Sequence, residues 1–445
     1  MIRLLDLRGL NITPATVVGF VPRVSQGEAE TKELVDSLME AVRREGSGAL
    51  KAQSASFDGV DDLVIQVSAK ELSRAAAQLA APLKAAIEES IRRVRAVSDD
   101  SIPATTSTEF HTGGTVSTRW VPVDRAGVYV PGGKAVYPSS VVMNVVAAQA
   151  AGVAEIVLVS PPQSDFDGRI HPTILATAHL LGVTEVYAMG GAGAIAALAW
   201  GVPDLGLAPV AMITGPGNRY VAAAKRAVKG IVGIDSEAGP SEIGIIADET
   251  AFPEFVAADL ISQAEHDERA CVVLITPSME LARRVMVALE RRVSETRHSQ
   301  RVMAALDGEQ SAVIVMDSLD QVVLMSNAIA PEHLEVMVTD PEKILPLLRH
   351  AGAIFVGDYS PVSAGDYVAG SNHVLPTHGS AMFSSGLSPM SFLRTQQIID
   401  YDRQALSHIA QQVKIFAEAE DLPAHAEAIA ERFVERPAAD APAEG

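Results

Sequence analysis

The stretch Glu185-Val186-Tyr187-Ala188-Met189-Gly190-Gly191-Ala192-Gly193-Ala194-Ile195-Ala196-Ala197-Leu198-Ala199-Trp200 joins a short apolar run to a helix-forming one through a glycine-rich turn. A brief apolar run bounded by turn residues reads as a buried strand, and a run of Ala and Leu favours helix. The same succession repeats on both sides of it. Strands are expected at Ile156–Val159, Glu185–Met189, Val210–Thr214, Ile243–Ala247, Cys271–Ile275, Ala312–Met316, Glu335–Val338 and Ile354–Val356. Helices are expected at Val141–Ala151, Ile170–Leu181, Ala194–Trp200, Tyr220–Val228 and Met279–Arg292. Alternation of this kind builds parallel sheets covered by helices on both faces, and so many strands call for two such units. No fixed-period repeat accompanies the rhythm, which argues against a solenoid.

The flanks read differently. Residues 1 to about 22, with Pro14 and Pro22, form a short arm. Helical spacing follows over 28–45 (Leu34, Leu38, Val42) and over 69–97, where Pro82 suits the first turn of a second helix. Residues 104–123 alternate like a strand. Beyond about residue 387 the strands are expected to stop, leaving a helical tail, with 437–445 disordered. The chain has 445 residues and is 48% hydrophobic, enough for a sizeable core, and its formal charge of −20 lacks any Lys/Arg cluster. Neither nucleic acid nor an anionic membrane is therefore an expected partner. The N-terminus has no apolar signal region, and the most apolar later stretch, Val141 to Val159, is broken by Asn144, Gln149 and Glu155, so a cytoplasmic protein is expected. Cys271 is the only cysteine. It excludes an intrachain disulfide and a thiolate zinc cluster, and its apolar surroundings read as a buried, inert thiol.

Ligands of α/β sheets gather at the carboxyl ends of strands, beside glycine-rich turns. Three such turns occur: Tyr129-Val130-Pro131-Gly132-Gly133, with its aromatic ring expected at the rim, Gly190 to Ala196, and Gly215-Pro216-Gly217-Asn218. The second matches a loose dinucleotide fingerprint, but residues 211–217 lack the acidic residue that would hold a ribose. Structural turns and a nucleotide cleft both remain open. Near the end of a helical pattern, Gln263 and His266 project from one face about a turn apart, offering the oxygen and nitrogen ligands that zinc accepts. Asp366, after a strand, and His425, in the tail, are candidates to complete such a site, although each also reads as an ordinary turn or solvated residue. Glu332 and His333 set a carboxylate and an imidazole side by side at a strand start, facing opposite ways. Aldehyde oxidation commonly uses a cysteine; with Cys271 buried, this chain would need water and a general base instead.

The motifs Tyr129-Val-Pro-Gly-Gly, Gly215-Pro-Gly-Asn218, Gly239-Pro-Ser-Glu242, Ser262-Gln-Ala-Glu-His266, Pro331-Glu-His333, Gly365-Asp-Tyr367, Asn372-His-Val-Leu-Pro376 and Glu420-Asp-Leu-Pro-Ala-His425 together resemble the histidinol dehydrogenase family, over roughly residues 3 to 434. The resemblance implies an α/β chain of two Rossmann-like parallel-sheet domains: arm 1–22, a first domain of 23–128 with 242–386, a second of 129–241, and a dimerising helical tail of 387–436. It implies a homodimer with shared active sites, oxidising L-histidinol through the aldehyde to L-histidine with zinc and two NAD. By motif, zinc falls to Gln263, His266, Asp366 and His425, and catalysis to Glu332 and His333. Substrate contacts include these four ligands and His333, with Ser241, His373 and Glu420 added; NAD contacts include Tyr129 and Asn218. One position departs. Gly193 stands where the family usually has Gln, so that NAD contact is absent and restoring it is expected to tighten NAD binding. Two other classes stay in view: a dehydrogenase of the same fold acting on another small primary alcohol such as a hydroxylated sulfonate, and a metal-dependent binding protein without redox activity. A zinc hydrolase would want a helical His-Glu-x-x-His, which is missing.

Overall fold

The structure, a computed structural model, describes residues 2–23, 28–132, 136–237 and 239–434. The disorder expected for 437–445 lies outside the described residues, as does Gly133 of the first glycine turn. In chain order the strands among the described residues are β1 (Arg3–Asp6), β2 (Thr106–Glu109), β3 (Thr115–Pro122), β4 (Arg125–Tyr129), β5 (Glu155–Ser160), β6 (Glu185–Ala188), β7 (Met212–Thr214), β8 (Gly233–Ile234), β9 (Glu242–Ala247), β10 (Cys271–Thr276), β11 (Ala312–Val315), β12 (His333–Met337), β13 (Ala353–Val356) and β14 (Leu393–Asp400). The chain forms two compact units, Met1–Ile102 with Val123–Phe392 and Pro103–Pro122 with Leu393–Gly445.

The first unit holds two wholly parallel sheets, ordered β1-β11-β10-β9-β12-β13 and β6-β5-β4-β7-β8. The apolar run of β10 explains its central place. Every residue of the strand is buried, and alternate side chains enter opposite cores: Val272 and Leu274 on one face, Val273 and Ile275 on the other. Each such side chain contributes about 1.5–3 kcal/mol on burial, so a charge at Val273 would break the layer. The strands expected from the sequence all form. The chain passes to the five-stranded sheet before Arg125, because β4 spans the boundary expected at 128/129, and returns between Ile234 and Glu242. Within the N-terminal arm, Arg3–Asp6 is not free but pairs with β11. Helices Glu28–Glu45, Ala69–Gln78 and Ala81–Asp100 form as expected, the last with Pro82 in its first turn.

The second unit corrects the expectation that strands cease near residue 387. β14 runs antiparallel to β3 from Leu393↔Pro122 to Asp400↔Thr115, and β2 flanks β3 on the other side. Asp402 then caps the helix Arg403–Ala419, its side chain accepting from the Ala405 N–H at 2.7 Å, and Pro423–Ala430 follows. Phe416 is 70% exposed in this unit. Among the described residues no helix is long and apolar enough to cross a membrane.

Candidate active site

A cavity of about 1470 Å³ lies in the first unit, and the two sheets meet it with opposite ends. Residues following β4 (Pro131, Gly132) and β7 (Pro216, Gly217, Asn218) line it, so the five-stranded sheet contributes carboxyl ends as expected. The six-stranded sheet departs from that rule. Ser241 immediately precedes β9, His266 lies in the turn before β10, Glu332 immediately precedes β12 and His333 opens it, so these groups sit at amino ends.

His333 is 4% exposed. Its Nδ1 is 3.0 Å from the Glu242 carbonyl; a carbonyl cannot donate, so Nδ1 carries the proton and the neutral ring presents a lone pair at Nε2. That Nε2 has no hydrogen-bond partner and stands 3.9 Å from Asp366 Oδ1. Burial pushes the imidazole down to about 4, against the pull of Asp366, so the ring is neutral at physiological pH. Glu332 is equally buried, its Oε2 accepting from the Glu242 N–H at 2.9 Å. Burial above all, then the negative charges of Glu242 and Asp366, raise its carboxyl well above the usual range, with the Glu242 N–H and the Ser241 hydroxyl pulling the other way. Two adjacent residues are thus a neutral imidazole and a carboxyl that holds its proton tightly, a divergence of the kind that separates roles at a catalytic site.

The helix Pro253–Ala264 buries Val256, Ala257, Leu260 and Ala264, which fixes its rotation. Gln263 is left 2% exposed with neither amide atom hydrogen-bonded. An unpaired buried amide is costly, so this one asks for a ligand. His266 donates from Nδ1 to the Ser262 carbonyl at 3.1 Å, leaving Nε2 as a lone pair 4.0 Å from Asp366 Oδ2. This is the tautomer of a metal-ligating histidine held by a carbonyl. Asp366 itself lies on the short helix Val362–Tyr367. The donor types, amide oxygen, imidazole nitrogen and carboxylate, fit zinc. Among the described residues no three His, Cys, Asp or Glu side chains stand together as a metal group. His373 is held in the same way, Nδ1 donating to the Asp366 carbonyl at 2.9 Å and Nε2 lying 3.2 Å from the Ser140 hydroxyl.

The chain matches the family model described as histidinol dehydrogenase over residues 21–433. A histidinol dehydrogenase of Leifsonia xyli subsp. xyli is 54% identical over 432 residues, covering 97% of this chain and 99% of the relative. The chain belongs to the histidinol dehydrogenase family. A second relative so named, from Thermobifida fusca, is also 54% identical and covers 96% of this chain and 97% of its own length. The crystal structure of histidinol dehydrogenase from Elizabethkingia anophelis superposes with a TM-score of 0.91 at 33% identity, covering 97% of this chain and 98% of that one.

As a member of the histidinol dehydrogenase family the chain brings Ser241, His266, Glu332, His333, Asp366, His373 and Asn218 to one cavity. Glu420 and His425 belong to the second unit. Asn218 uses its side-chain oxygen to cap the helix Arg219–Val228, accepting from Tyr220 and Val221 N–H. Tyr129, expected at the rim, is 3% exposed, and its hydroxyl accepts from the Gly191 N–H at 3.3 Å. Gly193 is buried in the helix Gly191–Trp200, and a Cβ there would overlap the Gln53 amide, so the place for a side chain is already filled. Restoring Gln at 193 thus meets Gln53 first. Sequence reading gave no role to Ser140 or Glu242, which touch His373 and the pair Glu332 and His333; Ser140 carried no signal beyond its place after Pro138 at a helix start.

Proposed function

We propose that this chain oxidises L-histidinol through L-histidinal to L-histidine, reducing two NAD in turn, in the cytoplasm and with zinc bound. The observation that carries the reading is the buried, neutral His333 with a free Nε2 beside Glu332. His333 Nε2 accepts the alcohol proton as the carbinol hydrogen leaves as hydride, giving the aldehyde. Glu332, once ionised, then takes a proton from the water that adds to the aldehyde carbon, leaving the anion of the hydrate. His333 passes its first proton to solvent and then accepts the remaining hydroxyl proton of the hydrate anion as the second hydride departs, leaving the carboxylate product. Two hydrides and three protons leave in all, two of the protons by way of His333 and one by way of Glu332, so the reading balances at two NADH per substrate. A thiohemiacetal has no place in it, since Cys271 is buried, donates to the Gln310 carbonyl at 3.0 Å and has its thiol raised by burial. Gln263, His266 and Asp366 would hold zinc, with His425 as fourth ligand, and bound zinc would anchor and orient the substrate's amino and imidazole nitrogens. Ser241, His373 and Glu420 would complete the substrate contacts, and the turn ending at Asn218 would receive NAD. We assign the working form as a homodimer in which His425 serves the other subunit's site.

The test is stoichiometry: NADH formed per L-histidinol consumed, at completion. Two equivalents are expected. One equivalent with aldehyde accumulating, or NADH only with a different alcohol, would return the chain to the rival dehydrogenase class, and no NADH with any alcohol to the binding-protein class.

A further inference from the structure

Behind the Gly215–Asn218 turn lies a buried ion pair to which no part of the chemistry above assigns a task. Lys225, on the helix Arg219–Val228, pairs with Asp235, just beyond β8, and the two side chains are 2% and 3% exposed. Both reach the same residue. Asp235 Oδ2 accepts the Gly215 N–H at 2.8 Å, and Lys225 Nζ donates to the Gly215 carbonyl at 3.1 Å. Gly215 has φ +116, and a Cβ on it would overlap the Tyr129 carbonyl, so this backbone is held in a conformation and a space open only to glycine.

A buried ion pair is weak evidence for stability, because desolvation offsets most of its Coulombic gain and well-packed apolar groups often do as well. Its structural effect here is specific. Both polar atoms of one peptide residue are satisfied by charged side chains, which fixes the direction in which Pro216, Gly217 and Asn218 enter the cavity wall. We propose that Lys225 and Asp235 are positioning residues for the cofactor, clamping Gly215 so that the Pro216–Asn218 wall is pre-shaped before NAD arrives. The clamp rests on the reading that this cavity takes NAD. A wall already in its bound form saves the ordering that binding would otherwise require.

The decisive variant is the double replacement Lys225→Met with Asp235→Asn. It leaves no lone buried charge and keeps an acceptor for the Gly215 N–H, but removes the donor to the Gly215 carbonyl. The expected result is a thermal midpoint near that of wild type, with the KM for NAD raised about tenfold and exceeding any change in the KM for histidinol or in kcat. A purely structural pair would instead lower the midpoint and shift all three constants together, or shift none; either pattern overturns the clamp. Should the double variant fail to fold, Lys225→Arg keeps the charge pair while misplacing the carbonyl donor, and the same selective rise is required of it. Wild-type protein that reduces NAD with histidinol beside an unaffected variant removes the clamp alone. Wild-type protein that does not removes the cofactor reading and the clamp with it.

Discussion

Replacing Glu332 by Gln separates the two oxidations. The substitution is nearly isosteric, and the amide oxygen can still accept the Glu242 N–H that Oε2 now accepts at 2.9 Å. Nothing else on the strand needs to move. What is lost is the carboxylate's capacity to take a proton, and a positioned general base contributes roughly 10²–10⁴-fold, or about 3–5 kcal/mol of barrier. That loss should fall on the aldehyde step, where water must be deprotonated. The alcohol step, which the proposed function gives to the lone pair on His333 Nε2, should slow by less than about tenfold. Folding should not suffer, because the amide fills the same space and keeps the bond from the Glu242 N–H. Rapid-mixing measurements of NADH formation, started once from histidinol and once from histidinal, read the two steps independently. Equal slowing of both would remove Glu332 from water activation, and no slowing of either would remove it from the chemistry altogether.

His425→Ala and Asp366→Ala, each inactive alone, should regain activity when unfolded and refolded together, up to half the wild-type value per heterodimer, because one site then receives both intact residues. Confirmed heterodimers without activity would rule out sharing. Gly193→Gln should not lower the KM for NAD: the new side chain displaces Gln53, whose Nε2 donates to the Leu38 carbonyl at 2.9 Å, at a cost of about 1 kcal/mol seen as a lower thermal midpoint. A lower KM in that variant would show that position 193 reaches the cofactor after all. Burial raises the Glu242 carboxyl from 4.5 to about 7. The folded state therefore binds this proton more tightly than the unfolded state, and stability is lost as pH rises between those values, by roughly 3 kcal/mol in total. In metal-free protein, Glu242→Gln should gain on wild type between pH 5 and pH 8 in thermal midpoint; parallel curves would contradict the assignment. His333, lowered to about 4, acts in the opposite direction in both proteins and cancels from the comparison.

The parallel sheets were legible because their strands are buried on both faces and read as unbroken apolar runs, as Cys271–Thr276 does. β14 was not. Its residues, Leu393 to Asp400, are exposed or half-exposed throughout, so no alternation marks one face as buried. The helix Ser47–Phe57 also escaped notice, since it begins at Gly46 with no side-chain cap. At the site, the pairing of Glu332 with His333 was visible as adjacent letters. The burial that keeps the imidazole neutral and makes the carboxyl hold its proton was not, because it depends on segments distant in the chain packing around both residues. Tyr129 misled for a related reason: an aromatic residue beside glycines looks like a rim, whereas here its hydroxyl is consumed by the Gly191 N–H.

The pairing of β1 with β11 bears on synthesis. Residues 3–6 leave the ribosome long before residues 312–315, with which they pair in the sheet, an interval of about half a minute at ~10 residues per second. In that time residues 125–234 can close the five-stranded sheet. The six-stranded sheet must wait, and β11, once made, carries an unpaired edge until the first strand returns to it. A nascent chain shortened past Asp6 would never cover that edge, leaving Ala312–Val315 open to another chain's strand, with aggregation during expression as the expected result.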